Sequence, residues 1–430
     1  MKKGSILFYL TMLILCVALL VTGCAGTPST SDQTQAPENT AAAPEATEPS
    51  NAVTGEPIKV GLIQPITGPI AATGTAIRDA AIIYQDYINA NGGVNGRPIE
   101  LVIEDSANDP TMAASAMTKL CAQADIPVVI GAWGSSPTLA AIAVAKENNM
   151  PMVVETASNW KVTDKTQEGG PLVFRLSAPS LMEVSVLRDI LKDQLNFLKP
   201  YIISVNNDWG RGNAEEFTHL YEEVYGLSIA GVDFVEAADT DYSAVLTKVL
   251  ASGADSIIVT GDAAQVSLIV EQGHNLGIKL PYLGTGMACS IYKIKELAGA
   301  EAAEGFYQTV SFVGNIDPNK TANPEMAKVF VEAWNAKGYE LVEMQEGARG
   351  FDALYTVCEA LKTITGDITR DSVRDALSKI EIDGMGYGHI KFTEWGNFIN
   401  QNVTPVAVIG IKDGKDTVLL DLTYPVYKAE

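Results

Sequence analysis

Residues 126–158, IPVVIGAWGSSPTLAAIAVAKENNMPMVVETAS, decide the fold. A short apolar run at 128–130 leads into the small and hydroxyl residues Gly134, Ser135 and Ser136. Ala141, Val144 and Ala145 are spaced to line one face of a helix predicted over 137–148, and a second apolar run at 152–154 precedes Thr156, Ala157 and Ser158. Two buried strands joined by about a dozen helical residues are what a parallel sheet requires, because a parallel crossover needs a helix of that length and covers both strand faces. The stretch is a βαβ unit.

In open sheets of this kind small ligands settle beyond the carboxyl ends of the strands, where helix N-termini also present unpaired N–H groups. Ser135, Ser136, Thr156 and Ser158 fall at two such ends. A serine ahead of a helix also serves simply as its cap. The hydroxyls therefore read either as caps or as the rim of a binding site.

The 430 residues can hold two domains with full cores. Acidic residues outnumber basic ones 52 to 30, a formal net charge of -22. That argues against nucleic-acid binding, which needs a basic footprint. The histidines are His219, His274 and His389, and neither HExxH nor a paired CxxC occurs, so no metal site and no cofactor are expected. A GxSxG elbow and a phosphate loop are also missing, and Gly284-Thr285-Gly286 lacks the third glycine of a dinucleotide fingerprint. An enzyme is not expected.

Lys2 and Lys3 precede an apolar run at 6–21, the charge-then-apolar layout of a secretory signal, expected over 1–23. The run ends at Val21-Thr22-Gly23-Cys24, which resembles the bacterial lipobox. The resemblance implies cleavage before Cys24 and its acylation. An uncleaved membrane-spanning anchor is the alternative, since about 16 apolar residues nearly suffice to cross a bilayer. Either reading places the body outside the cytoplasm, attached to the bacterial cell membrane. After Cys24, residues to 56 are rich in Thr, Ser, Pro, Ala, Gln and Glu and cannot build a core. They read as a disordered tether with a root-mean-square span of about 30 Å. Cys121, Cys289 and Cys358 sit in apolar runs and read as core residues rather than a disulfide framework.

From residue 57 the pattern alternates. Strands are predicted at 58–63, 99–104 and 172–176 beside the two already described, with a helix at 75–91 and an Ala-rich helix that follows the loop 105–110 and ends near Ala124. A second series starts at Ser180, with strands at 201–205, 229–235, 256–260 and 282–283 and helices at 214–225, 242–251 and 264–276. A strand at 305–313, helices at 324–337, 350–364 and 369–380, and strands at 388–392, 406–411 and 418–422 complete the chain. The expected fold is α/β, two doubly wound parallel-sheet lobes.

Several stretches carry a family resemblance: IKVGLIQPITGPIAATG (58–74), INANGGVNGRPIELVIEDSANDP (88–110), VVIGAWGSSPTLAAIAVAKENNMPMV (128–153), DYSAVLTKVLASGADSIIV (241–259), AEGFYQTV (303–310) and FDAL (351–354). In order and spacing they resemble the type I periplasmic-binding-protein fold, most of all the branched-chain amino acid binding proteins of ABC importers. The resemblance implies two lobes joined by three hinge crossings, placed near Ser177, Gln308 and Gly396. Lobe 1 would combine 57–177 with 309–395, and lobe 2 would combine 178–308 with 396–430.

The resemblance further implies a solute enclosed between the lobes and handed by a monomer to a permease and ATPase; a sensory protein signalling to a membrane receptor is the alternative. In that family the ligand's carboxylate and ammonium are held by a serine, here Ser135 with Gly134 and Ser136 beside it, and by an Ala-Thr pair, here Ala157-Ser158. Other positions depart from the pattern. The acidic partner of the ammonium aligns with Gly286, an aromatic of the first loop with Thr73, and a tyrosine pair with Asp262-Ala263, while Trp209 keeps an aromatic. Asp262 or Glu155 is expected to replace the carboxylate, or else each is a loop charge. Trp133, Trp160 and Trp209 fall in loops expected to face the cleft, as ligand contacts or as packing at a lobe edge.

Overall fold

The computed structural model describes residues 53–166, 170–286, 289–312 and 317–426. The expected signal peptide, Cys24 and the tether up to residue 52 lie outside the described residues.

The first series folds as β1 (Ile58–Gln64), α1 (Ala71–Ala90), β2 (Ile99–Asp105), α2 (Pro110–Cys121), β3 (Val129–Gly131), α3 (Ser135–Glu147), β4 (Met152–Val154) and β5 (Val173–Arg175). The second gives α4 (Ser180–Asp189), β6 (Pro200–Val205), α5 (Asp208–His219), β7 (Gly231–Val235), α6 (Ser243–Ser252), β8 (Ser256–Thr260), α7 (Ala263–Asn275), β9 (Tyr282–Thr285), α8 (Ile291–Leu297) and β10 (Phe306–Val310). The strands of the first series pair in parallel in the order β5-β4-β3-β1-β2, and those of the second in the order β10-β9-β8-β6-β7. The two lobes thus share one topology. In each, the winding reverses at the first strand, and the crevice at such a switch point opens at the strands' carboxyl ends.

Both faces of each sheet are covered, as continuous apolar strands require. In the first lobe Val60 and Leu62 pack with side chains of α1 and α10 (Met344–Lys362), while Ile63 and Val129 face those of α2 and α3. In the second, Ile203 and Val259 pack toward α6 and α7, and Ile202 and Ile258 toward α4 and α5. Cys121, Cys289 and Cys358 are buried free thiols.

The end of the chain departs from expectation. Helix α10 follows α9 (Pro324–Ala336) and starts at Met344, six residues before the predicted start at 350, because Gln345, Glu346 and Arg349 are polar yet buried. Sixteen of its 19 residues are buried, so no amphipathic stripe marks its start. After α11 (Arg370–Leu377) come β11 (Glu381–Asp383), β12 (His389–Lys391), β13 (Thr393–Trp395), β14 (Phe398–Gln401), β15 (Val406–Lys412) and β16 (Lys415–Thr423).

The expected crossing at Gly396 is wrong. Gly396 (φ 60°) lies in the tight turn between β13 and β14, and β14 pairs in parallel with β5, Gln401 opposite Arg175. The third crossing is at 402–405, before β15 joins β10 in the second sheet. The second crossing also lies later than Gln308, since Thr309 and Val310 still pair with Val408 and Ala407. The first lies between β5 and α4, around Ser177.

Helices α1 and α10 approach closely because Gly350 has no side chain; a Cβ there would strike the main-chain carbonyl oxygen of Ile77. Gly350→Ala is expected to force the helices apart and lower the unfolding free energy by roughly 1–3 kcal/mol. The check is a reduced denaturant midpoint at unchanged m value.

Candidate functional site

A cavity of about 300 Å³ lies beyond the carboxyl ends of the strands, walled by both lobes. Of the residues singled out in the sequence, Trp133, Gly134, Ser135, Ser136, Ala157, Ser158, Trp209 and Gly286 line it together with Thr156. Thr73 and Asp262 are not among its lining residues. Asp262 caps α7, accepting a 2.9 Å hydrogen bond from the Gln265 amide, and Thr73 is on α1 beside Glu343. Trp160 packs with Ala178, Met182 and Trp395 instead.

The serines are not caps. Gly134 occupies the cap position of α3 in extended backbone, with no side-chain bond to the helix, and Ser135 and Ser136 are the first helical residues. The first amides of α3 are left to whatever occupies the cavity. A Cβ on Gly134 would meet Asn108 Oδ1, so a larger residue there would displace the Asn108 side chain. Ser135 Oγ accepts from the Asn159 amide at 3.2 Å, which leaves its proton free to be donated. At the rim the lobes touch: Asn159 Nδ2 donates to the Asp208 carbonyl at 2.6 Å, and the Asp208 amide donates to Ser136 Oγ at 3.4 Å.

Gly286 has φ 70°, and a Cβ there would lie 2.6 Å from Trp209 Cζ2. The Trp209 ring fills the space where an acidic side chain would begin. A carboxylate nonetheless reaches this point from another element. Glu183 of α4 is buried at 3% exposure and lines the cavity, and its Oε2 accepts from the Gly286 amide at 3.0 Å and from Thr309 Oγ1 at 3.2 Å. Burial pushes its pKa up.

Helix α10 supplies Arg349, also a lining residue, whose Nη2 lies 3.0 Å from Glu346 Oε1. Glu346 Oε2 accepts from Trp133 Nε1 at 3.1 Å, so the ion pair also fixes Trp133, a non-glycine residue at φ 65°. Glu155 sits behind the wall, fully buried, accepting from Gln64 Nε2 at 2.8 Å, with Tyr387 Oη bonded to its carbonyl. Sequence reasoning missed Glu183, Asn108, Asn207 and Arg349, which also line the cavity.

Two lobes of one topology with a solute-sized cavity between them match known proteins. A family model described as periplasmic binding protein matches residues 57–415. The chain belongs to the periplasmic binding protein family. Among curated family members, the leucine-, isoleucine-, valine-, threonine- and alanine-binding protein of Pseudomonas aeruginosa is 26% identical over 358 residues, 83% of this chain and 91% of that protein. The Leu/Ile/Val-binding protein homolog 3 of Brucella melitensis is 29% identical over 280 residues, 65% of this chain and 72% of that protein. Among solved structures, the branched-chain amino acid transporter substrate binding protein LivJ of Streptococcus pneumoniae, in complex with isoleucine, superposes with a TM-score of 0.72. It is 26% identical, covering 86% of this chain and 100% of LivJ. This periplasmic binding protein is accordingly a solute-binding protein of type I architecture.

Burial raises the Glu155 carboxyl from 4.5 to about 7. The folded state then holds a proton that the unfolded chain releases. Below about pH 4.5 both states are protonated and the contribution to stability is complete; it is lost as pH climbs from there through 7. The difference is roughly 3 kcal/mol. Glu155→Gln keeps an acceptor for Gln64 and is expected to remove this slope, read by denaturant unfolding at about pH 5 and about pH 8.

Proposed function

We propose that the chain captures an amino acid or related small carboxylate between its lobes and delivers it to the permease and ATPase of an ABC importer, working as a monomer held to the membrane through acylated Cys24. The observation that carries this reading is the start of α3. Helix amides without a cap, together with the Ser135 hydroxyl, face a cavity walled by both lobes, an arrangement suited to a carboxylate. A cavity near 300 Å³ suits a small solute. Trp133 and Trp209 offer aromatic surface for its apolar part. The relatives named for leucine, isoleucine and valine, and the LivJ complex with isoleucine, support an amino acid.

Thermal denaturation against a panel of amino acids and aromatic acids tests the reading. A true ligand at about a hundred times its Kd should add roughly 2.7 kcal/mol to stability; no shift with any small carboxylate would sink it. Ser135→Ala is expected to weaken binding of the active compound by roughly tenfold or more, the scale of a hydrogen bond to a charged group. The solute-free variant should melt near the wild type, and unchanged affinity would remove Ser135 from the site.

A further inference from the structure

We propose that Glu183 recognises a positively charged nitrogen on the solute, so that the cavity selects amino acids over carboxylic acids of the same shape. The assignment rests on the reading of this cavity as the solute site.

The argument is one of charge and hydrogen-bond accounting. Among the described residues, both hydrogen bonds to the Glu183 carboxylate, from the Gly286 amide and Thr309 Oγ1, fall on Oε2. Since the side chain lines the cavity, Oε1 is the oxygen left to meet a solute. The basic side chain that also lines the cavity, Arg349, lies 3.0 Å from Glu346, and its charge acts on Glu183 as well. Glu183 is therefore a buried acid whose hydrogen-bond partners among the described residues are neutral, and it shares the charge of one guanidinium, Arg349, with Glu346. An ion taken out of water in this way costs several kcal/mol unless an opposite charge joins it.

The surroundings favour a cation as that guest. The Trp209 ring lies against Gly286 and lines the same corner, and aromatic rings attract ammonium groups over their faces. A plain carboxylic acid would leave two buried acids, Glu183 and Glu346, to one guanidinium and add a further negative charge to the same enclosure. An amino acid presents its carboxylate to the start of α3 and its ammonium to Glu183, one charge to each lobe.

Calorimetry with leucine and phenylalanine, and with their des-amino analogues isocaproate and hydrocinnamate, tests this on the wild type and on Glu183→Gln. The expected result is that the wild type binds at least one amino acid more than tenfold tighter than its analogue. The variant should lose about 10- to 100-fold toward that amino acid, the range for hydrogen bonds to charged groups, and less than about threefold toward the analogue. Retained analogue binding also reports that the variant is folded. The assignment is overturned if the wild type binds the analogues as tightly as the amino acids, a comparison that needs no variant, or if Glu183→Gln keeps its amino-acid affinity within about threefold. If the wild type binds an analogue, the carboxylate reading survives that failure; if it binds none of the four, the two readings fall together.

Discussion

The amides at the start of α3 have no partner within the helix and none from a capping side chain, and the rest of the site is arranged around that deficit. Such groups are tolerated only where water or a ligand can reach them. They lie at the carboxyl end of β3, the place a parallel sheet leaves open because its crossover helices cover only the faces. Gly134 keeps the approach clear by carrying no side chain against Asn108. A local feature of backbone chemistry thereby becomes an anion-sized opening in a fold that is otherwise closed by apolar contacts.

The charged residues near this opening are better understood as positioning devices than as sources of stability. Glu346 and Arg349 are 7% and 4% exposed at their side chains, and buried ion pairs recover little beyond the cost of removing both from water. What the pair does is hold geometry. Arg349 is fixed at the cavity and Trp133 is held through its indole N–H, in a backbone conformation that non-glycine residues rarely adopt. Asp352, one turn further along α10, accepts from the amides of Met385, Gly386 and Tyr387 and so anchors the loop whose tyrosine reaches Glu155. One buried helix thus organises both the wall of the cavity and the layer behind it.

Much of this was legible in the sequence. The strands at 128–130 and 152–154 and the helix between them are within a few residues of β3, β4 and α3, since apolar runs bounded by turn residues are a local signal. The hydroxyls of Ser135, Ser136 and Ser158 could be placed at strand ends for the same reason. Glu183 could not. An acid in the first turn of a helix is ordinarily explained by the helix dipole, and only the crossing from β5 into α4 turns this one toward Gly286. Gly286 itself was readable as a departure from the family pattern, but its cause, the Trp209 ring, is a contact between residues 77 positions apart. The strands β13 and β14 are too short, and too polar around Gly396, to carry a periodic pattern.

The corrected place of the third crossing puts it beside the first. Residues 402–405 do not run alone: the Asn402 amide donates to the Arg175 carbonyl at 2.9 Å, and Gln401 Nε2 donates to the Ser177 carbonyl at 2.9 Å. Gln401 Oε1 accepts from Arg175 Nε at 2.6 Å, and that fully buried guanidinium also donates to the Asn159 carbonyl at 2.7 Å. The first and third crossings are therefore tied into one unit, which also grips the segment carrying Ala157 and Ser158. Hinges absorb their dihedral change over a few residues at element ends. With two crossings bonded together through β5 and β14, the polar rim carried by Ala157, Ser158 and Asn159 is tied to the first sheet.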